Sequence, residues 1–146
     1  FRTKRCLIPV RGFYEWQHAG KEKIPWYVYP VTKDMFTLAG LFSEWTDART
    51  GDVLNTFTII TTEANELMAE IHNSKKRMPA ILDKSEEKKW IDLKVQGVDA
   101  LGLLKPCASE KLKAHTISPL INSRTANRNT PEVMAPYSYL KDNLLF

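Results

Sequence analysis

The sequence has few of the residues that announce a chemistry on their own. Only two of its 146 residues are cysteines, Cys6 and Cys107. They lie far apart with no C-x-x-C spacing, so a zinc site and a disulfide framework both lack support. Each reads as a reduced, partly buried thiol. No apolar run approaches the ~20 residues that span a bilayer. No segment carries the basic, apolar and small-residue succession of a signal peptide. H-E-x-x-H, G-x-S-x-G and a glycine-rich phosphate loop are all missing. So are internal repeats, low-complexity tracts and a clear linker. Neither a metal nor a cofactor is expected. The expected location is the cytoplasm (at the nucleoid, if bacterial), with no membrane partner.

What is present suits a folded protein. The chain is 43% hydrophobic and 26% charged, which excludes a disordered polymer. Its length suffices for one domain with a real core. One α+β domain over residues 1–146 is expected, as a monomer. The net charge of +4 and the pI of about 9.1 permit a polyanionic partner without requiring one. The chain opens on "FRTKRCLIPV", a basic run leading straight into an apolar strand, like an entry into the middle of a domain.

Periodicity gives the elements. "RCLIPVRGFYEWQ" reads as two short strands or one bent strand, and His18 to Pro25 as a loop. "WYVYPV", Phe36–Trp45 and Val53–Thr62 read as strands of a meander. The period then changes. Ala64, Leu67, Met68 and Ile71 fall at i, i+3, i+4 and i+7, one face of a helix, with Thr61 or Thr62 as its N-cap. Pro79 keeps that helix from resuming, and "MPAIL" is extended. Asp83 followed by Glu86 is a capping-box signature for a second helix, with Trp90, Ile91 and Leu93 inward. "VDALGLL" is a short helix and "AHTISPLI" a late strand. "NTPEVM" places Thr130 as a cap and Pro131 at a first helical position.

Two residues stand out for chemistry. In "GFYEW", Glu15 sits among large aromatics on a strand, where alternate side chains face opposite ways. It either turns out at a sheet edge or is held in a pocket, because burial without partners costs several kcal/mol. His72 ends the apolar stripe of the first helix, where the helix dipole favours an imidazolium. It is either a satisfied core residue or a functional one. Together they would make a carboxylate–imidazole pair suited to acid–base work. Lys75, Lys76 and Arg77 follow directly. They are either solvated cations or, if the pocket receives an anion, phosphate ligands. His18 reads as a surface residue and His115 as a structural one.

"RCLIPVRGFYEW", "TTEANELMAEIH" and "RMPAIL", in that order from Arg5 to Leu82, closely resemble the SRAP family. These are the SOS-response-associated peptidase proteins that recognise abasic sites in DNA. "HTISPLIN" is similar, more loosely, to the family's closing strand region. The resemblance implies a mixed β-sheet or barrel, PUA-like, flanked by helices. It implies an N-terminal cysteine whose amine and thiol capture the aldehyde of an abasic site in single-stranded DNA, giving a thiazolidine crosslink. It implies that Glu15 and His72 are the acid–base residues and that Arg77 contacts DNA phosphate.

By the same resemblance the chain is expected to be N-terminally incomplete. The family's M-C-G-R opening and N-A-R-x-E-T block, with the cysteine and an active-site asparagine, are not in these 146 residues. Cys6 lies inside a strand motif and has no free α-amine. The "HNSKKRMP" stretch is two residues longer than the family's His-x-Arg-Met-Pro. The alternatives are a thiol autopeptidase or peptidase, and a non-catalytic PUA-like nucleic-acid-binding module.

Overall fold

The computed structural model describes residues 3–139. Among these the chain is α+β, with antiparallel sheets and few helices. Nine strands form: β1 Arg5–Val10, β2 Phe13–Ala19, β3 Glu22–Pro30, β4 Phe36–Thr46, β5 Val53–Ile59, β6 Thr61–Glu63, β7 Arg77–Pro79, β8 Ile81–Leu82 and β9 Leu112–Thr116. The α-helices are α1 Glu66–Ile71, α2 Lys84–Ile91 and α3 Gly97–Leu101. One sheet has the order β1-β4-β5, with β8 also on β4; a second has β2-β3-β9; β6 and β7 pair separately. Among the described residues no helix is long and apolar enough to cross a membrane.

Strand β4 organises the core. Phe36 to Gly40 are buried without interruption, because both faces of this half-strand are covered. Phe36 and Leu38 join Val28, Met68, Ile71, Met78 and Leu112 on one side. Ala39 joins Ala80, Leu82 and Trp90 on the other. Gly40 allows the close approach of β1: a Cβ there would lie 2.5 Å from Ile8 Cδ1. The Trp90 indole donates to the Cys6 carbonyl at 3.0 Å. Arg5 lies over the Trp90 ring, its guanidinium carbon 5.4 Å from the centroid, and donates to the Asp92 and Val95 carbonyls. These contacts tie α2 to β1.

Helix α1 has six residues, far too short to hold itself in water. Packing holds it. Met68 and Ile71 are fully buried, each contributing about 1.5–3 kcal/mol by leaving water. Its cap is Asn65, not Thr61 or Thr62. Asn65 Oδ1 accepts from the Met68 N–H at 2.8 Å, and Nδ2 donates to the Cys107 carbonyl at 2.7 Å. The threonines are taken up by β6, paired with Pro79 and Met78.

Other expectations shift for local reasons. His18 to Pro25 is not a loop: Trp16 pairs with Pro25 and Gln17 with Ile24 across a hairpin whose two-residue turn begins at Gly20. Gly20 has φ +63°, which glycine adopts without steric cost. Val53–Thr62 is two strands, because Ile60 leaves the β4–β5 ladder and bonds to Ala39 and Ala80 instead. Ile91 and Leu93 are 45% and 55% exposed; α2 ends at Ile91, and only Trp90 points into the core. The late strand ends at Thr116, and Pro119–Asn122 and Pro131–Met134 are single 3-10 turns. In the second helix the Glu86 carboxylate accepts from the Asp83 N–H at 3.1 Å.

Candidate functional site

The second sheet ends at β2, an edge strand, and α1 lies against it. Two side-chain clamps hold them together. Gln17 Nε2 donates to the Glu70 carbonyl at 3.1 Å, while Gln17 Oε1 accepts from the Trp26 indole at 3.2 Å. Asn73 bonds twice to the His18 backbone, donating to its carbonyl at 2.9 Å and accepting from its N–H at 3.0 Å. The alternation of β2 turns Glu15 and Gln17 to the same face, so the clamp at Gln17 also places Glu15 beside the end of α1.

His72 is the C-cap of α1. Its Nδ1 lies 2.9 Å from the Arg77 carbonyl and 3.5 Å from Glu15 Oε2. A carbonyl can only accept, so Nδ1 carries the hydrogen. That leaves Nε2 as the nitrogen able to take up or release a proton. Glu15 Oε1 accepts from the Trp16 N–H at 2.9 Å. The carboxylate and imidazole are about four-fifths buried, at 21% and 18% exposure, so solvent still reaches both.

The two residues line a cleft of about 380 Å³ together with Trp16, His18, Lys23, Ser74 and Asn122. The Trp16 indole donates to Asn122 Oδ1 at 3.1 Å, which fixes the ring as a wall of the cleft. Sequence reading did not find Trp16, Lys23, Ser74 or Asn122, and placed His18 simply at the surface. Strand alternation turns Trp16 to the face opposite Glu15, so no local pattern pointed to it. No sequence signal joins Asn122 to a tryptophan 106 positions away.

The basic stretch turns sharply. The Lys76 N–H donates to the His72 carbonyl at 2.8 Å, and Lys76 has φ +50°, an uncommon conformation for a residue with a side chain. This turn absorbs the length of "HNSKKRMP" and returns the Arg77 carbonyl to His72. Lys75, Lys76 and Arg77 are exposed. They border the cleft through the turn and do not line it.

A larger hollow, about 430 Å³, lies elsewhere beside Cys107, Phe36, Leu82 and Leu112. Four of its charged side chains are paired, Lys84 with Glu87 at 3.1 Å and Lys111 with Asp83 at 2.6 Å. Burial pushes the Cys107 thiol up, and likewise Cys6 in β1, which disfavours the reactive thiolate. Among the described residues, no three His, Cys, Asp or Glu side chains are placed to hold a metal ion.

Fold and site together describe an α+β protein with a carboxylate–imidazole pair in a cleft at a sheet edge. Residues 1–124 match the family model of the SOS response associated peptidase (SRAP), and the chain belongs to that family. It is 38% identical over 154 residues to the abasic site processing protein HMCES of Xenopus tropicalis, covering 92% of this chain and 44% of that protein. It is 40% identical over 134 residues to the abasic site processing protein YoqW of Bacillus subtilis (strain 168), covering 90% and 57%. A solved structure of a protein from Bacteroides thetaiotaomicron superposes with a TM-score of 0.86 at 38% identity, over 94% of this chain and 58% of that one. The chain thus spans about half the length of the curated relatives it matches.

Proposed function

We propose that this chain supplies the acid–base side of an abasic-site processing centre acting on single-stranded DNA in the response to DNA damage. The observation that carries the reading is the Glu15–His72 pair, 3.5 Å apart over an open cleft. The relatives named as abasic site processing proteins support the substrate class.

An abasic deoxyribose opens to an aldehyde. An amine adds to that aldehyde, water leaves and an imine forms; a thiol on the same residue then adds across the C=N bond and closes a thiazolidine. Every step moves a proton. Glu15 takes the proton from the adding amine and returns it to the departing hydroxyl, while His72, oriented through Nδ1, exchanges protons at Nε2. Neither Cys6 nor Cys107 lines the cleft, so the nucleophile is assigned to an N-terminal cysteine of the kind the family carries. Lys75, Lys76 and Arg77 sit where the phosphates flanking the sugar would pass.

The test extends the chain with the family's N-terminal segment, cysteine first, and incubates it with an abasic single-stranded oligonucleotide. A denaturant-stable band on a gel is expected. Cleavage of a peptide in trans without such a band would favour a peptidase instead. Binding without either product would leave a non-catalytic module.

A further inference from the structure

One side chain in the cleft carries a nucleophilic amine, that of Lys23. It stands near the start of β3, directly opposite His18 of β2, and directly paired residues share a face. Asn73 bonds twice to the His18 backbone, so the ladder passes on to Lys23 a place fixed against the end of α1. Strand β9 pairs with β3 only from Trp26 onward, and no third strand covers this end of the hairpin. β2 is an edge strand, so side chains of both its faces reach the cleft. Lys23 lines it together with Glu15 and His72.

The amine is uncommitted. Glu22 precedes it, but strand alternation turns that carboxylate to the other face. Among the described residues the Lys23 ammonium has no hydrogen bond or ion pair, whereas Lys84, Lys105 and Lys111 each lie 2.6 to 3.1 Å from a carboxylate. A lysine at a hairpin end is ordinarily a solvated cation, and one beside a phosphate needs only its charge. The company of Lys23 allows more. An ammonium has no lone pair and attacks nothing until a base has taken its proton. Glu15 and the Nε2 of His72 share the cleft and can take it. A primary amine on a flexible stem, beside groups that move protons, is the arrangement that forms imines with carbonyl substrates.

We propose that Lys23 is a second amine nucleophile of this site, condensing reversibly with the aldehyde of an abasic deoxyribose to give an imine. The proposal rests on the abasic-site reading of the cleft. Glu15 removes a proton from the ammonium. The freed Nζ lone pair adds to the aldehyde carbon, and the carbonyl oxygen takes a proton from the cleft. The nitrogen then gives up a proton, the hydroxyl leaves as water, and C=N forms. Water is the only other product, and nothing is oxidised or reduced. Lys23 has no thiol to close a ring, so its adduct hydrolyses back. The lysine holds the opened sugar, and the N-terminal cysteine makes the lasting bond.

The 146-residue chain is incubated with an abasic single-stranded oligonucleotide and sodium borohydride, which reduces an imine to a stable secondary amine. A band that survives denaturation is expected with borohydride and absent without it, and peptide mapping by mass spectrometry should place the adduct on Lys23. An oligonucleotide whose abasic sugar has first been reduced to the alcohol should give no band. Lys23→Arg keeps the charge and should lose the band, whereas Lys113→Arg, outside the cleft, should keep it. Glu15→Gln should weaken it, because a surface lysine reacting unaided has no need of the carboxylate. Lys23 is exposed, and circular dichroism checks that each variant folds. An adduct mapped to the chain's α-amine or another lysine, or undiminished trapping by Lys23→Arg or Glu15→Gln, would overturn the assignment. The thiazolidine band of the cysteine-extended chain needs no borohydride: if it forms while Lys23 traps nothing, the lysine is refuted and the abasic-site reading stands.

Discussion

Phe13-Tyr14-Glu15-Trp16 and Phe42-Ser43-Glu44-Trp45 are nearly the same tetrapeptide, and both lie on β-strands. Their glutamates end in opposite settings. Glu15 faces His72 in a cleft. Glu44 pairs across the strand with Asn55 on the exposed β4–β5 hairpin, and among the described residues it has no ion pair. The tryptophans differ in the same way: the Trp16 indole is held by Asn122, whereas Trp45 is 51% exposed. The first half of β4 is covered on both faces, but the hairpin runs past that cover. A glutamate between aromatics is thus not a site. The site is made by the helix and turn that reach β2 from more than fifty positions away.

The sharpest way to break this comparison is to make the same change twice. In the chain extended with an N-terminal cysteine, Glu15→Gln should slow crosslinking to abasic DNA by about 10²–10⁴-fold, the scale of acid–base catalysis, while Glu44→Gln leaves the rate unchanged. Equal rates for wild type and Glu15→Gln would remove Glu15 from the mechanism.

Stability should separate the two regions next. Met68→Ala opens a cavity beneath the α1 seat and should cost about 2–5 kcal/mol in urea unfolding. Phe57→Ala, on the hairpin, removes the cross-strand partner of Phe42 and should cost only about 0.2–1 kcal/mol. A comparable cost at both would mean the hairpin is covered after all.

A subtler change loosens the cleft without emptying the core. Asn73→Ala removes both bonds to the His18 backbone. Because the residue is exposed, stability should fall by only about 1 kcal/mol. Crosslinking should slow by up to about 10²-fold, the penalty for a small slip of reacting groups. A rate unchanged by Asn73→Ala would show that this clamp does not position the pair.

The smallest effect is electrostatic. Replacing Lys75, Lys76 and Arg77 by alanine should flatten the salt dependence of single-stranded DNA binding. The log–log slope should fall by about 0.7 for each phosphate that is no longer neutralised, whereas Arg49→Ala in the hairpin turn leaves it unchanged. The same slope for the triple variant and wild type would turn that loop away from the DNA.

Much of this could be read locally. The apolar, aromatic and β-branched runs of β1 to β4 and the helical stripe of Ala64, Leu67, Met68 and Ile71 depend on residues a few positions apart, and elements formed where those patterns lay. The hairpin at Gly20 and the cap at Asn65 were not legible, because Gly and Pro mark loops on average and several polar residues competed for the cap. Asn65 won through its bond to Cys107, 42 positions away.

Glu15 and His72 were singled out by their local settings, an acid among aromatics and an imidazole ending an apolar stripe; local pattern could go no further, and the family resemblance alone joined them. Whether they meet depended on Gln17 and Asn73 clamping α1 to β2, and Asn122 entered the cleft through a 3-10 turn at the far end of the chain. Residue type and spacing determine which faces of each element are apolar, since that is a local property of the chain. Which faces come together is decided by burying all of them at once, so Glu15 gained a partner and Glu44, in almost the same four residues, did not.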